Sequence, residues 1–139
     1  DEYQQSEVEI GKVFHFDTSG PEIFAFIDES KFFQAVNNLV SNALKFTPDG
    51  GIITLSLEEK EHTALLTVAD NGIGIPMKYQ ANLFDKFNDA RRPGLKGEPS
   101  VGLGMSIIKT IVEWHQGRIW FDSEVNKGST FYIEIPKSN

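Results

Sequence analysis

The chain contains no cysteine, which excludes disulfides and any thiolate metal site. No apolar run approaches the ~18 residues that a membrane-crossing helix needs, and the opening residues lack the basic-then-apolar pattern of a signal peptide. Excess positive charge is missing too. Twenty acids stand against 13 bases, a formal net charge of −7. Such a surface repels phosphate backbones and weighs against nucleic acid as a partner. The low apolar content of a disordered chain is also absent, since 40% of residues are hydrophobic and 24% charged. What remains is a soluble domain of a reducing compartment. At 139 residues it is one domain, expected to hide roughly two-thirds of its unfolded surface. The opening Asp1-Glu2-Tyr3, without Met, is what a piece cut from a longer protein would show.

Residues 1–11 are polar and acidic apart from Val8 and Ile10, and read as a linker or edge; residues 12–137 read as the folded domain. Val13 to Phe16 and Ile23 to Ile27 have strand character, separated by the turn residues Thr18-Ser19-Gly20-Pro21. Asp28 is placed to cap a long amphipathic helix ending near Phe46, and Thr47-Pro48-Asp49-Gly50-Gly51 breaks it. Two strands follow, Ile52 to Leu57 and Thr63 to Ala69, then a short helix over Met77 to Phe84. Residues 88–101 carry two glycines and two prolines without periodicity, and predict a long lid-like loop. A second helix runs from Gly104 to Trp114 and stops at Gly117. Arg118 to Val125 and Ser129 to Pro136 close the chain as a hairpin, turning at Asn126-Lys127-Gly128. The sum is a mixed, mostly antiparallel sheet with helices on one face.

Three features carry chemistry. Asp70-Asn71-Gly72-Ile73-Gly74-Ile75-Pro76 follows an apolar strand directly. An ionised carboxylate accepts only and seeks a donor such as an exocyclic amine, while glycines permit close backbone approach; a tight turn with a capping Asp is the plainer alternative. On the first helix, Asn38, Asn42 and Lys45 form a stripe about 60° wide beside the apolar arc. Two carboxamides and an ammonium suit a hydrated Mg²⁺ and attached phosphates, or simply a solvated face. Lys86, Arg91, Arg92 and Lys96, opposed only by Asp89, give the acidic chain one basic loop. No GxxxxGK[ST] is present, and Gly72-Ile73-Gly74 and Gly102-Leu103-Gly104 lack the third glycine of a dinucleotide fingerprint.

Asn38 to Thr47 resembles the N box of bacterial sensor histidine kinases. Asp70 to Pro76 resembles their first glycine box, Leu83-Phe84-Asp85-Lys86-Phe87 their F box, and Gly102-Leu103-Gly104-Met105 their second glycine box. Order and spacing agree from Asp28 to Pro136. The resemblance implies the Bergerat fold, an α/β two-layer sandwich (α+β) with a long ATP lid, and Mg-ATP as ligand. It makes Asn42 the Mg²⁺ ligand, with Asn38 beside it on phosphate or metal-bound water, and Lys45 a phosphate contact. Asp70 would accept from the adenine amino group, with Gly72, Gly74 and Ile75 against the base. Gly102, Leu103 and Gly104 would form a phosphate-facing turn at a helix N-terminus. Phe84 and Phe87 would anchor the lid, Phe87 also bordering the nucleotide. Two departures stand out: Ser100-Val101 replaces the usual Gly-Thr or Gly-Ser, and Asp89 replaces an Arg, leaving Arg91 or Arg92 to meet the γ-phosphate.

A histidine kinase would send the γ-phosphoryl group to a His on a separate dimerisation and phosphoacceptor domain, with a response regulator downstream. Its location would be cytoplasmic, whether or not the parent is anchored in a membrane, and the isolated domain monomeric. A catalytically silent ATP-sensing module is the alternative, made plausible by Ser100-Val101. A gyrase-type hydrolase needs a base for water, and those relatives keep Glu where this chain has Asn38, whose carboxamide cannot take a proton at neutral pH. His15, His62 and His115 lack the Glu and Pro surroundings of a phosphoacceptor, so the chain is expected to bind Mg-ATP without phosphorylating itself.

Overall fold

The computed structural model describes residues 13–18, 27–85 and 104–137. Strand β1 (Val13–Thr18) precedes helix α1 (Glu29–Phe46). Asp28 caps α1 by accepting from the Lys31 amide at 3.0 Å, satisfying one of the free N–H groups of the first turn. Glu29 in the first turn and Lys45 in the last complement the helix dipole. Ala35, Leu39, Val40, Ala43 and Phe46 are buried along one face, as the sequence periodicity requires. At Thr47 the backbone turns extended (φ −108°), as expected of a residue before proline.

Strands β2 (Ile52–Glu59) and β3 (Thr63–Asp70) each run slightly longer than the sequence predicts. Helix α3 (Gly104–Trp114) matches expectation, and β4 (Arg118–Glu124) with β5 (Gly128–Pro136) forms the closing hairpin. The sheet order is β1-β2-β3-β5-β4, with β1 parallel to β2 and every other pair antiparallel. Residues opposite one another in antiparallel strands share a face. Rows such as Leu55–Val68–Phe131–Phe121 and Leu57–Leu66–Ile133–Ile119 therefore present one apolar surface. Helices α1 and α3 cover it, and Leu39, Val40, Ile108, Ile111 and Val112 join Ile53, Val68 and Ile133 in one core.

On the opposite face Trp120 stacks on Tyr132 with ring centroids 5.1 Å apart, and Arg118 lies 4.6 Å over the indole. Glu134 accepts from Thr63 Oγ1 at 2.8 Å and from Arg118 Nη2 at 2.9 Å, with Lys60 Nζ at 3.7 Å. The hydrogen bonds from Thr63 and Arg118 hold its carboxyl below the usual Glu range. Burial, together with Asp122, pushes the Tyr132 phenol up.

Two expectations are corrected. The helix predicted over Met77 to Phe84 is α helix α2 only from Met77 to Gln80, followed by turns. None of its four residues is buried, so no apolar face propagates it; the segment is held instead by buried Leu83 and by Phe84 edge-on to Phe121 at 5.7 Å. Helix α3 stops short of Gly117, as expected. Gln116 takes the left-handed position (φ 60°), and Gly117 is needed for space, because a Cβ there would meet the Glu134 carbonyl oxygen at 2.4 Å. Ile27 lies outside any strand. The linker 1–11, the rest of the Ile23 to Ile27 strand and the lid at 88–101 lie outside the described residues.

Candidate functional site

Strand register puts Ile53, Asp70, Ser129 and Ser123 in one row across β2, β3, β5 and β4. This row belongs to the helix-covered face, two positions beyond the apolar row that contains Val68. Asp70 thus ends an apolar column and points its carboxylate toward the helix layer rather than away from it. Its Oδ1 accepts from the Gly72 amide at 2.9 Å and from the Ser129 amide at 3.3 Å.

The loop after Asp70 is bonded at nearly every peptide. The Asn71 amide donates to the Ile52 carbonyl at 3.2 Å, while Asn71 Oδ1 accepts from the Ile52 amide at 2.8 Å. The Ile73 amide donates to the carbonyl of Phe46, the last residue of α1, at 3.0 Å. The Ile73 carbonyl accepts from Asn126 in the β4–β5 turn at 2.9 Å. The Ile75 amide donates to Ser123 Oγ at 2.7 Å, and the Ile75 carbonyl accepts from Gln80 Nε2 at 2.8 Å.

The two glycines of this loop have a packing reason of their own. A Cβ at Gly72 would lie 2.1 Å from the Phe46 carbonyl oxygen, and one at Gly74 would lie 2.2 Å from that of Glu124. Gly74 also takes φ +73°, which glycine adopts cheaply. The close approach these residues permit in the structure is thus to the protein's own backbone. Gly104, at the start of α3, differs: a Cβ there would have nothing within 4 Å.

Asn38, Asn42 and Lys45 lie half-buried on α1, beside rather than within its buried face. The Phe46–Ile73 bond joins the end of this stripe to the loop that follows Asp70. Gly72, Gly74 and Ile75 are buried in that loop. The helix that carries Asn38, Asn42 and Lys45 is thus fastened at its C-terminal end to the glycine loop that follows Asp70. Phe87, Arg91, Arg92, Gly102 and Leu103 lie outside the described residues.

Among the described residues no three His, Asp or Glu side chains gather to hold a metal. Asn38 and Asn42 carry amide oxygens, a donor type that together with phosphate would suit Mg²⁺ and its preference for oxygen and retained water. His115 bridges α1 and α3. Its Nδ1 meets the Ile111 carbonyl at 2.8 Å, and its Nε2 accepts from the Asp28 amide at 2.9 Å. Nδ1 therefore carries the proton, and the ring acts as a structural link between the helices. His62 is exposed beside Glu61 at 3.6 Å.

Sequence reasoning missed Ser123, Ser129 and Gln80. A signal was available for the serines: the inward positions Ile119, Phe121 and Ser123, and Ser129, Phe131 and Ile133, both turn polar at the end where Leu66, Val68 and Asp70 do. No local pattern marks Gln80.

Residues 27–139 match the family model described as histidine kinase-, DNA gyrase B- and HSP90-like ATPase, and the chain belongs to that family. Within it, the relatives are sensor histidine kinases, and the part of them that this chain corresponds to is the ATP-binding catalytic domain. Sensor histidine kinase TmoS of Ectopseudomonas mendocina is 40% identical over 118 residues, covering 84% of this chain and 12% of that protein. WalK of Bacillus subtilis (strain 168) is 38% identical over 117 residues, covering 83% of this chain and 19% of that protein. The chain thus spans under a fifth of the length of these two relatives. The nucleotide-free catalytic domain of histidine kinase ThkA superposes with a TM-score of 0.83 at 27% identity, covering 99% of this chain and 88% of that one. ThkA in complex with the response regulator protein TrrA superposes with a TM-score of 0.78 at 26% identity, covering 99% of this chain and 37% of that one. The fold is that of the histidine kinase catalytic domains, the two-layer Bergerat arrangement. No described helix is long and apolar enough to cross a membrane.

Proposed function

We propose that this domain binds Mg-ATP between Asp70 and the α1 stripe and supplies its γ-phosphoryl group to a histidine on a separate helical phosphoacceptor domain. The observation that carries this reading is the junction of the two ends: α1, bearing Asn38, Asn42 and Lys45, finishes on the carbonyl that holds the Asp70 loop. Asp70 accepts from the adenine amino group. Asn42 contributes an amide oxygen to Mg²⁺, with Asn38 on phosphate or metal-bound water. Lys45 and Arg91 or Arg92 meet the phosphates, and Gly102, Leu103 and Gly104 bring backbone N–H groups toward them. Phe87 borders the nucleotide from the lid. Mg²⁺, when bound, neutralises phosphate charge, and phosphoryl transfer of this kind rests mainly on positioning and charge stabilisation.

Asn38 favours transfer over hydrolysis, since a carboxamide cannot activate water as a base. The acceptor imidazole, a nucleophile already, needs no such help. Beyond Asn38 toward the start of α1 lies a groove of about 310 Å³, lined by Lys31, Gln34, Ile107, Thr110 and Trp114 among others. Its position at the far end of the stripe suits the approach of the acceptor segment. A response regulator would take the phosphoryl group onward, outside this domain, and the setting is cytoplasmic.

The test is calorimetry of Asn42→Ala. Mg-dependent ATP binding is expected to disappear while thermal unfolding stays within a few degrees of the parent. Unchanged Mg-ATP affinity in that variant would overturn the metal assignment.

A further inference from the structure

We propose that Ser123 and Gln80 are positioning residues of the adenine pocket, setting the loop Gly72–Pro76 by holding both peptide groups of Ile75. The proposal rests on the reading of Asp70 as the adenine acceptor. Around this loop, Asn71 and Ile73 are tied mainly through backbone groups: the Ile52 and Phe46 carbonyls and the Asn126 amide. Ile75 is different. Its amide ends on the Ser123 hydroxyl at 2.7 Å, and its carbonyl ends on the Gln80 carboxamide at 2.8 Å. Gln80 Nε2 also reaches the Ser123 carbonyl at 3.4 Å, so the two side chains meet at the same point.

Ser123 is itself anchored. Its Oγ lies 2.8 Å from Ser129 Oγ and 3.2 Å from the Gly128 carbonyl. The Ser129 amide in turn donates to Asp70 Oδ1 at 3.3 Å. The row Asp70–Ser129–Ser123 therefore closes a ring: carboxylate, β5 backbone, two hydroxyls, Ile75, and back along the loop to the Gly72 amide on Asp70 Oδ1 at 2.9 Å. The ring fixes both the carboxylate and the far end of the loop that passes it. Ser123 and Ser129 are half-buried and buried, so water competes poorly for these bonds. A pocket that reads one amino group gains its selectivity from such rigidity, because a loosened acceptor can also suit a base without that donor.

The experiment compares ADP with inosine diphosphate, which carries the same phosphates but an acceptor in place of the amino group. The 139-residue chain is titrated with both, alongside Ser123→Ala, Ser123→Thr and Gln80→Leu. Ser123→Ala and Gln80→Leu are each expected to weaken ADP by about five- to tenfold, the worth of one semi-buried hydrogen bond, while inosine diphosphate changes by less than about twofold. Ser123→Thr, which keeps the hydroxyl, should restore ADP affinity. Unchanged ADP affinity in Ser123→Ala would overturn the proposal, as would equal weakening of both nucleotides, the mark of a general loosening. A parent chain that binds both nucleotides alike would overturn the adenine reading of Asp70, a failure distinct from the other two.

Discussion

The two ends of the candidate site are built in opposite ways. At the proposed base end, a loop is fastened through backbone groups at Asn71 and Ile73 and by the side chains of Asn71, Ser123 and Gln80, packed carbonyl-close at Gly72 and Gly74, and completed by one carboxylate. At the phosphate end, three side chains project from a regular helix whose own stability comes from its buried face and its cap. Rigid backbone suits the reading of a flat base edge, where a displacement of one donor or acceptor inverts the preference. Side chains on a helix suit a hydrated cation and phosphates, whose charge tolerates adjustment. Substitutions at the base end should therefore disturb fold and recognition together, whereas those at the phosphate end should disturb binding alone.

The largest effect is expected from Gly74→Ala. A left-handed φ and a Cβ driven against the Glu124 carbonyl should together cost about 3 kcal/mol of stability. Denaturant unfolding measures this, and a loss no greater than that of Asn42→Ala would break the contrast between the ends. Asp70→Asn comes next. The amide oxygen can keep the bonds from Gly72 and Ser129, which turns the NH₂ toward the base, where donor would meet donor. ADP binding should fall by about 1–3 kcal/mol and inosine diphosphate should become the better ligand. Retained preference for ADP in that variant would show that the carboxylate does not read the base.

The smallest effect belongs to Glu134, on the face of the sheet away from the helices. Its carboxyl is held below the ordinary range, so its stabilisation is complete above the usual Glu pKa of about 4.3 and drains as pH falls through the lowered value. Glu134→Gln should cost about 1 kcal/mol at neutral pH, with the gap to the parent closing in acid and ADP affinity unmoved. A change in ADP affinity would mean that the sheet's outer face is coupled to the pocket, and would blur the division between the ends.

The helix α1, its cap at Asp28 and its polar stripe were legible in sequence because a 3.6-residue period and a capping Asp are local signals. Strands β1, β2 and β3 were legible from their alternating or apolar runs, as was the terminal hairpin, whereas the strand expected to reach Ile27 does not include that residue. Helix α2 was overestimated because composition alone does not reveal that its residues gain no burial. The stop at Gly117 was legible, but its reason was not, since only the Glu134 carbonyl across the sheet shows that glycine is needed there for space. Ser123 and Ser129 escaped notice because the bonds that give them meaning cross between elements, with 48 positions separating Ile75 from Ser123 and 59 separating Asp70 from Ser129. Gln80 bonds Ile75 only five residues away, but nothing in the local sequence marks a side chain that turns back on its own loop.

By itself, then, the sequence determined the absence of thiol chemistry, the amphipathic helix with Asn38, Asn42 and Lys45 on one stripe, and the strand that delivers Asp70 to a glycine loop. These follow from side-chain chemistry and from the periods of helix and strand, which act over a few residues. Tertiary structure alone decided that Asp70 faces the helix layer, that its glycines are packed against the Phe46 and Glu124 carbonyls, and that two serines and a glutamine hold the loop in place. Those outcomes depend on strand register and on hydrogen bonds closed between distant segments, where a slip of one residue would turn Asp70 to the other face.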